Sequence, residues 1–143
     1  MAQGDYLTFE ESRLTIANGT FDMDSDTFSL KLITTLPVIG ATTPTLGDYT
    51  EVSNGGGYTT GGITLTTSYT EAGGTATFDS STNPAWTAAA SSPTNIVGGL
   101  LVNGANNAFG FVDMTTDGGS TPISLVAGNI TVTWNTSGLF TLA

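Results

Sequence analysis

Three aspartates at alternate positions, Asp22, Asp24 and Asp26, are the acidic side chains whose spacing comes nearest to a chemical device, since an EF-hand calcium loop begins this way. The rest of that loop is missing. Thr27 stands where the sharp turn needs glycine, Ile33 stands where the closing glutamate belongs, and the segment leads into strand-like sequence. The triplet therefore reads as a structural turn, with cation binding by Asp22, Asp24 and Asp26 left open. Paired carboxylates could also hydrolyse a glycosidic bond without histidine. Glu10 and Glu11 are adjacent, Asp48 and Glu51 flank Tyr49, and Glu71, Asp113 and Asp117 fall near expected strand ends. Nothing in the spacing sets two of them across a cleft, and solubilising acids are the expected role. The glycine-rich Gly55 to Gly62 is not a phosphate loop, because no Gly-Lys-Ser/Thr follows and a strand, not a helix, comes next.

The chain contains neither cysteine nor histidine. Disulfides, thiolate metal sites, the commonest general base and a near-neutral pH switch are thereby removed. Arg13 and Lys31 are the only basic side chains against 12 acids, a formal charge of −10. Two cations cannot neutralise a run of phosphates, so no nucleic acid partner is expected, and the charge opposes an anionic membrane surface. No apolar run is long enough to span a bilayer. The start, Met-Ala-Gln-Gly-Asp-Tyr, has no basic region followed by an apolar run, so no signal peptide is expected, and the sequons at Asn18, Asn129 and Asn135 read as chance matches. Synthesis in a cytoplasm follows from that reading. No cofactor and no enzymatic activity are expected.

At 143 residues the chain suits one core that buries roughly two-thirds of the unfolded surface. About a fifth of it is threonine, a composition for strands and tight turns. The organising stretch is Tyr49 to Tyr69: Ile63, Leu65, Thr67 and Tyr69 alternate with Thr64, Thr66, Ser68 and Thr70, the pattern of a strand with one buried face. The glycines before it form a turn region around Tyr58. Residues 1–18 are expected to form a short helix or an extended arm, because Tyr6, Phe9, Arg13, Leu14 and Ala17 recur at helical spacing before Asn18-Gly19. Residues 19–143 form a single β domain. Phe28, Leu30, Leu32, Thr34 and Leu36 share one strand face, Glu71-Ala-Gly-Gly74 turns a hairpin into Thr75 to Phe78, and Trp86 reads as a core plug. Ile96 to Val102 is apolar on both faces, as a strand in a doubly covered sheet must be, and Phe109 to Met114 is its antiparallel neighbour. Asn129 to Trp134 and Leu139 to Leu142 close the chain. About eight short strands spaced by turns give an all-β antiparallel sandwich or jelly-roll-like barrel.

The ordered set Asp26-Thr-Phe-Ser-Leu-Lys-Leu-Ile-Thr-Thr35, Thr50-Glu-Val-Ser53, Gly57-Tyr-Thr-Thr-Gly-Gly62, Phe78-Asp79, Trp86 and Ile130-Thr-Val-Thr-Trp-Asn135 with Gly138-Leu139 resembles a family of small tailed-bacteriophage virion proteins. The resemblance covers most of the chain from about residue 19. It implies a structural, non-enzymatic component of the virion, namely a capsid decoration or cement protein on the capsid exterior. The implied partners are the major capsid protein and further copies of the chain, as a homotrimer around a local symmetry axis. The expected adhesive parts are the Met1 to Arg13 arm, the Val38 to Gly47 loop and the Gly55 to Gly62 loop, with Tyr6, Phe9, Arg13 and Tyr58 as contact residues. A tail or adsorption-apparatus component is the alternative. A carbohydrate-binding sandwich is a further one, and would use Tyr49, Tyr58, Tyr69 or Trp86 as exposed platforms.

Overall fold

A computed structural model describes residues 3–143. The chain is all-β, with antiparallel pairing throughout. Its strands are β1 (Tyr6–Thr8), β2 (Ser29–Ile33), β3 (Ile63–Thr64), β4 (Thr67–Ala72), β5 (Thr75–Ser80), β6 (Ala85–Trp86), β7 (Gly98–Val102), β8 (Ala108–Asp113), β9 (Ile130–Thr131) and β10 (Phe140–Leu142). An α-helix, α1 (Ser12–Ala17), follows β1, and a single 3-10 turn spans Leu46–Asp48. The five-stranded sheet runs β1-β8-β7-β2-β3, a second sheet runs β10-β5-β4, and β6 pairs with β9.

The five-stranded sheet is covered on both faces, as the apolar run at Ile96 to Val102 requires. On one face Leu30, Leu32, Leu101 and Val112 meet Phe78 and Phe140 of the second sheet and Trp86 and Val132 from the β6–β9 region. On the other, Ile33, Leu100, Val102 and Phe111 pack with Phe9 and Tyr49, and Leu36, Ala41 and Leu46 lie against them. The loop after β2 is therefore a second lid on the sheet.

A β-bulge fixes how the two layers meet. Leu101 pairs with Gly110, but Val102 pairs with Ala108, so Phe109 is an extra residue. The bulge turns its ring toward the second sheet, where Phe21, Phe28, Phe78 and Phe140 surround it at centroid distances of 5.2, 6.1, 5.8 and 5.4 Å. Gly110 leaves room for Tyr6, since a Cβ there would collide with the tyrosine hydroxyl.

Two expectations are corrected. The stretch from Ile63 to Tyr69 is not one strand: β3 pairs with β2 in the first sheet, and after Leu65 the chain crosses to pair with β5 in the second. The alternation survives because both segments turn the same side of the chain inward. The N-terminal segment does hold the short helix expected of it, as α1, but the part before it is not a free arm. Tyr6 to Thr8 pair with Val112 to Gly110 along the sheet edge, and Phe9 is fully buried. Ladder bonds and burial of Phe9 outweigh the helical spacing, which is left to six residues ending at Asn18 and Gly19. Met1 and Ala2 lie outside the described residues.

The Gly73-Gly74 hairpin matches its expectation: both glycines have positive φ and join Ala72 directly to Thr75. Phe109→Ala removes a fully buried ring and is expected to cost about 3–5 kcal/mol in denaturant unfolding. Deleting residues 1–13 should also lower the melting temperature, because it removes β1 and Phe9. An unchanged melt for the truncated chain would contradict this placement.

Candidate functional site

Most of the expected contact residues are structural. Phe9 is buried in the second core. Tyr58 is 1% exposed, and its hydroxyl donates to Glu51 Oε1 at 2.6 Å while accepting from Leu32 N at 3.2 Å. Gly61 N donates to the same carboxylate oxygen at 2.6 Å. Burial first, and the adjoining Glu51 carboxylate second, push the Tyr58 hydroxyl well above its ordinary range. The glycine-rich loop is thus tied inward, and Gly57 is required because a Cβ would strike the Thr87 carbonyl. Tyr6 is half-buried, edge-on to Trp134 at 5.7 Å, and burial raises its hydroxyl too. Arg13 alone of the four is exposed, with its guanidinium 5.8 Å from the Phe140 ring centroid.

The exposed aromatic platforms that a glycan surface needs are also missing. Tyr49, Tyr58 and Trp86 are buried, and Tyr69 is half-buried. The Trp86 core reading holds.

The carboxylates serve as acceptors for backbone N–H groups. Asp22 Oδ1 accepts from Asp24 N at 3.1 Å and Ser25 N at 3.2 Å, and Asp26 Oδ2 accepts from Asp22 N at 3.1 Å and Asn103 Nδ2 at 3.0 Å. Asp48 caps the turn at Thr45, Glu71 takes Gly74 N, and Asp117 takes Thr121 N. Among the described residues no group of three ligating side chains is placed to hold a metal ion. Asp113 is fully buried; its Oδ1 accepts from Thr115 N and Oγ1, and Oδ2 has no hydrogen-bond partner.

What the structure adds is a surface around α1, which packs Ile16 on the first core and turns Leu14 outward. Ser12 and Thr15 point inward, where Ser12 Oγ donates to Phe109 O at 2.7 Å and Thr15 Oγ1 to Ser12 O at 3.0 Å. Leu14 points out and is 59% exposed. Glu10 N donates to Ile39 O at 3.0 Å, and the Glu11 carboxylate accepts from Thr43 N, so the loop after β2 is fastened beside the start of α1. That loop carries Val38, 71% exposed, and exposed Ile39. Among the described residues, three of the five large exposed hydrophobic side chains thus lie at α1 and the loop tied to it. Helical spacing pointed to Leu14 as part of an apolar face. The hydroxyl pair that turns Leu14 outward could be read only once Phe109 O was known to lie beneath it.

A cleft of about 320 Å³ opens on the same side, between α1 and the 43–45 segment. Glu11 is its one titratable side chain, beside Thr15, Asn18, Phe21, Pro44 and Asn107. Such a lining can accept and donate hydrogen bonds, and supplies no acid–base pair.

Comparison with family models, with curated proteins and with solved structures gives no match.

Tyr58→Phe leaves Leu32 N–H without its acceptor, and a loss of about 1–3 kcal/mol in denaturant unfolding is expected; a change within experimental error would count against a structural role. Ser25, through side chain and backbone, and Asp24 N–H hold Asp22 below its ordinary value of 3.8. A depressed carboxylate stabilises the fold fully above the unfolded-state pKa and loses that contribution as pH falls through the folded value. Asp22→Ala should therefore lower the melting temperature at pH 7, and the gap from the parent should close below about pH 4. A gap that persists undiminished in acid would assign the effect to something other than the carboxylate.

Proposed function

We propose that this protein is a structural component of a tailed-bacteriophage virion, a capsid decoration protein that binds the capsid exterior. The observation that carries the docking assignment is the outward turn of Leu14: α1 buries Ser12 and Thr15 and leaves Leu14 exposed, and exposed Val38 and Ile39 lie on the loop bonded to Glu10 and Glu11 just before the helix. Exposed apolar side chains scattered singly need no explanation, but a group fixed on a doubly covered sheet is suited to contact. Both the helix and the loop are held by hydrogen bonds to β8 and to each other, so the surface is ordered before a partner arrives. The resemblance of the ordered sequence set supplies the class of partner, the major capsid protein. With a formal charge of −10, the chain favours an electropositive patch on that partner.

In this reading Leu14, Val38 and Ile39, with Arg13 beside them, replace Phe9 and Tyr58 as contact residues. The role is mechanical: a rigid sheet bridges sites on the shell, and no group is used for bond chemistry.

The test is co-sedimentation with expanded, undecorated capsids. The parent chain is expected to bind saturably. A Leu14→Asp, Val38→Asp variant should keep its melting temperature within about 2–4 °C, since both positions are exposed, and should bind at least about tenfold more weakly. Undiminished binding by that variant would overturn the docking surface. A parent chain that ignores heads and sediments with tails would overturn the decoration role in favour of a tail component.

A further inference from the structure

The sheet β10-β5-β4 ends on β4, which has no strand on its outer side. β4 has six residues, whereas the other terminal strands of the two larger sheets, β1, β3 and β10, have three, two and three. Natural edges of such length are blunted by lysine, proline or a bulge. Thr67-Ser-Tyr-Thr-Glu-Ala72 has none of these, its pairing with β5 is regular throughout, and its one charge, Glu71, sits at the hairpin end, where it accepts from Gly74 N.

The ladder shows which peptide groups are free. Ser81 N donates to Thr66 O, and the hairpin closes on the Ala72–Thr75 pair, so Ser68, Thr70 and Ala72 direct their backbone groups toward β5. Thr67, Tyr69 and Glu71 direct theirs outward.

We propose that this edge pairs with the β4 edge of a second copy, antiparallel about a two-fold axis at Tyr69, joining two three-stranded sheets into one. Tyr69 of one copy faces Tyr69 of the other, and Thr67 faces Glu71, with two hydrogen bonds in each pair. The neighbouring registers are disfavoured. With the axis at Thr70 or at Ser68 the strand keeps two such pairs in place of three, because Gly73 lies in the turn and the Leu65 N–H already donates to Phe28 O at 2.8 Å. Tyr69 is a second, independent indication. Its ring packs on the first core yet is only half-buried at the edge, where the opposing tyrosine would cover it. A three-fold ring would need β4 to pair with a different edge, and β10 offers half the length. The pairing is isologous and does not depend on capsid docking.

Each copy carries a formal charge of −10, so self-pairing works against repulsion, and added salt strengthens it. A basic partner on the same edge would show the opposite dependence. A contact through one strand pair falls below the roughly 1,200 Å² of stable interfaces, so the dimer is reversible and is observed at high concentration.

Sedimentation velocity of the purified full chain, without capsids, tests this at concentrations up to about 500 µM and at salt near 0.05 and 0.5 M. The expected result is twice the 14.6 kDa chain mass, with several-fold tighter association at the higher salt. Thr67→Pro removes only an outward N–H, and Tyr69→Lys sets two cations together at the axis; each should weaken association by about tenfold or more. Should either variant fail to fold, amide exchange in the parent chain keeps the test open: Thr67, Tyr69 and Glu71 should gain protection as concentration rises. A monomer at both salts, a trimeric mass, association weakened by salt, a dimer indifferent to both substitutions, or concentration-independent exchange at those amides would each overturn the proposal. Because capsids are absent, failure here leaves the docking surface standing, and failure of docking leaves this result intact.

Discussion

At the bulge in β8 the strand carries one residue more than its partner, and that residue, Phe109, belongs to three parts of the molecule at once. Its ring meets Phe28 just before β2, Phe78 and Phe140 from the second sheet, and Phe21 from the loop between α1 and β2. Edge-to-face pairs of this kind contribute about 0.5–1.5 kcal/mol each beyond the area they bury, so the group is worth several kcal/mol against a total stability of only about 5–15. Its carbonyl accepts from Phe9 N and from Ser12 Oγ, which anchors the chain between β1 and α1. The orientation of α1 follows from that carbonyl. A helix that must place a hydroxyl on Phe109 O cannot also place Leu14 in the core.

The acidic composition has a structural use as well as an electrostatic one. A chain with 28 turn-favouring threonines and many glycines reverses direction often, and each reversal exposes N–H groups that need acceptors. Asp22, Asp26, Asp48, Glu71 and Asp117 supply them within a few residues of the turn they close. Side-chain carboxylates make charge-assisted bonds, stronger than those of serine or threonine in the same place. The consequence is a charge that Arg13 and Lys31 cannot balance. Lys31 is committed to Asn106 and Arg13 to the Phe140 ring, so attraction to an electropositive surface is a property of the whole molecule, not of one ion pair.

Local signals were legible where one cause fixed the local structure. Gly73-Gly74 forces a hairpin whatever surrounds it, Ile96 to Val102 can only lie in a doubly covered sheet, and Trp86 fills the core. Signals that depend on distant partners misled. The alternation from Ile63 to Tyr69 is blind to the change of partner strand at Leu65, because the inward side of the chain stays the same. The spacing of Tyr6, Phe9 and Arg13 satisfies a helix, and nothing local reveals that β8 has an open edge waiting for Tyr6 to Thr8. Tyr58 looked like a loop residue since glycines surround it, yet those glycines allow the close backbone approach that lets its hydroxyl reach Glu51 and Leu32. Of the proposed docking surface, Arg13 and the 38–47 loop were named from sequence; the outward turn of Leu14 could not be.

The two proposed contacts lie on different parts of the fold, one on the helix and loop fastened to β8 and the other on the free side of the second sheet. Full burial of a Leu, Val or Ile side chain contributes about 1.5–3 kcal/mol, so Leu14, Val38 and Ile39 together offer at most about 5–9. Association costs about 4–15 kcal/mol in lost freedom, and on that balance a single copy would hold a shell weakly. Pairing through β4 changes the balance, because a copy whose partner is already docked has only its own surface to place, at the effective concentration that the joined sheet imposes. Covering the two contacts in either order would then be favourable only on a shell that presents sites at the spacing the dimer spans. Selectivity for an ordered lattice over isolated subunits would, on the two proposals together, come from two weak contacts where one strong contact would bind both alike.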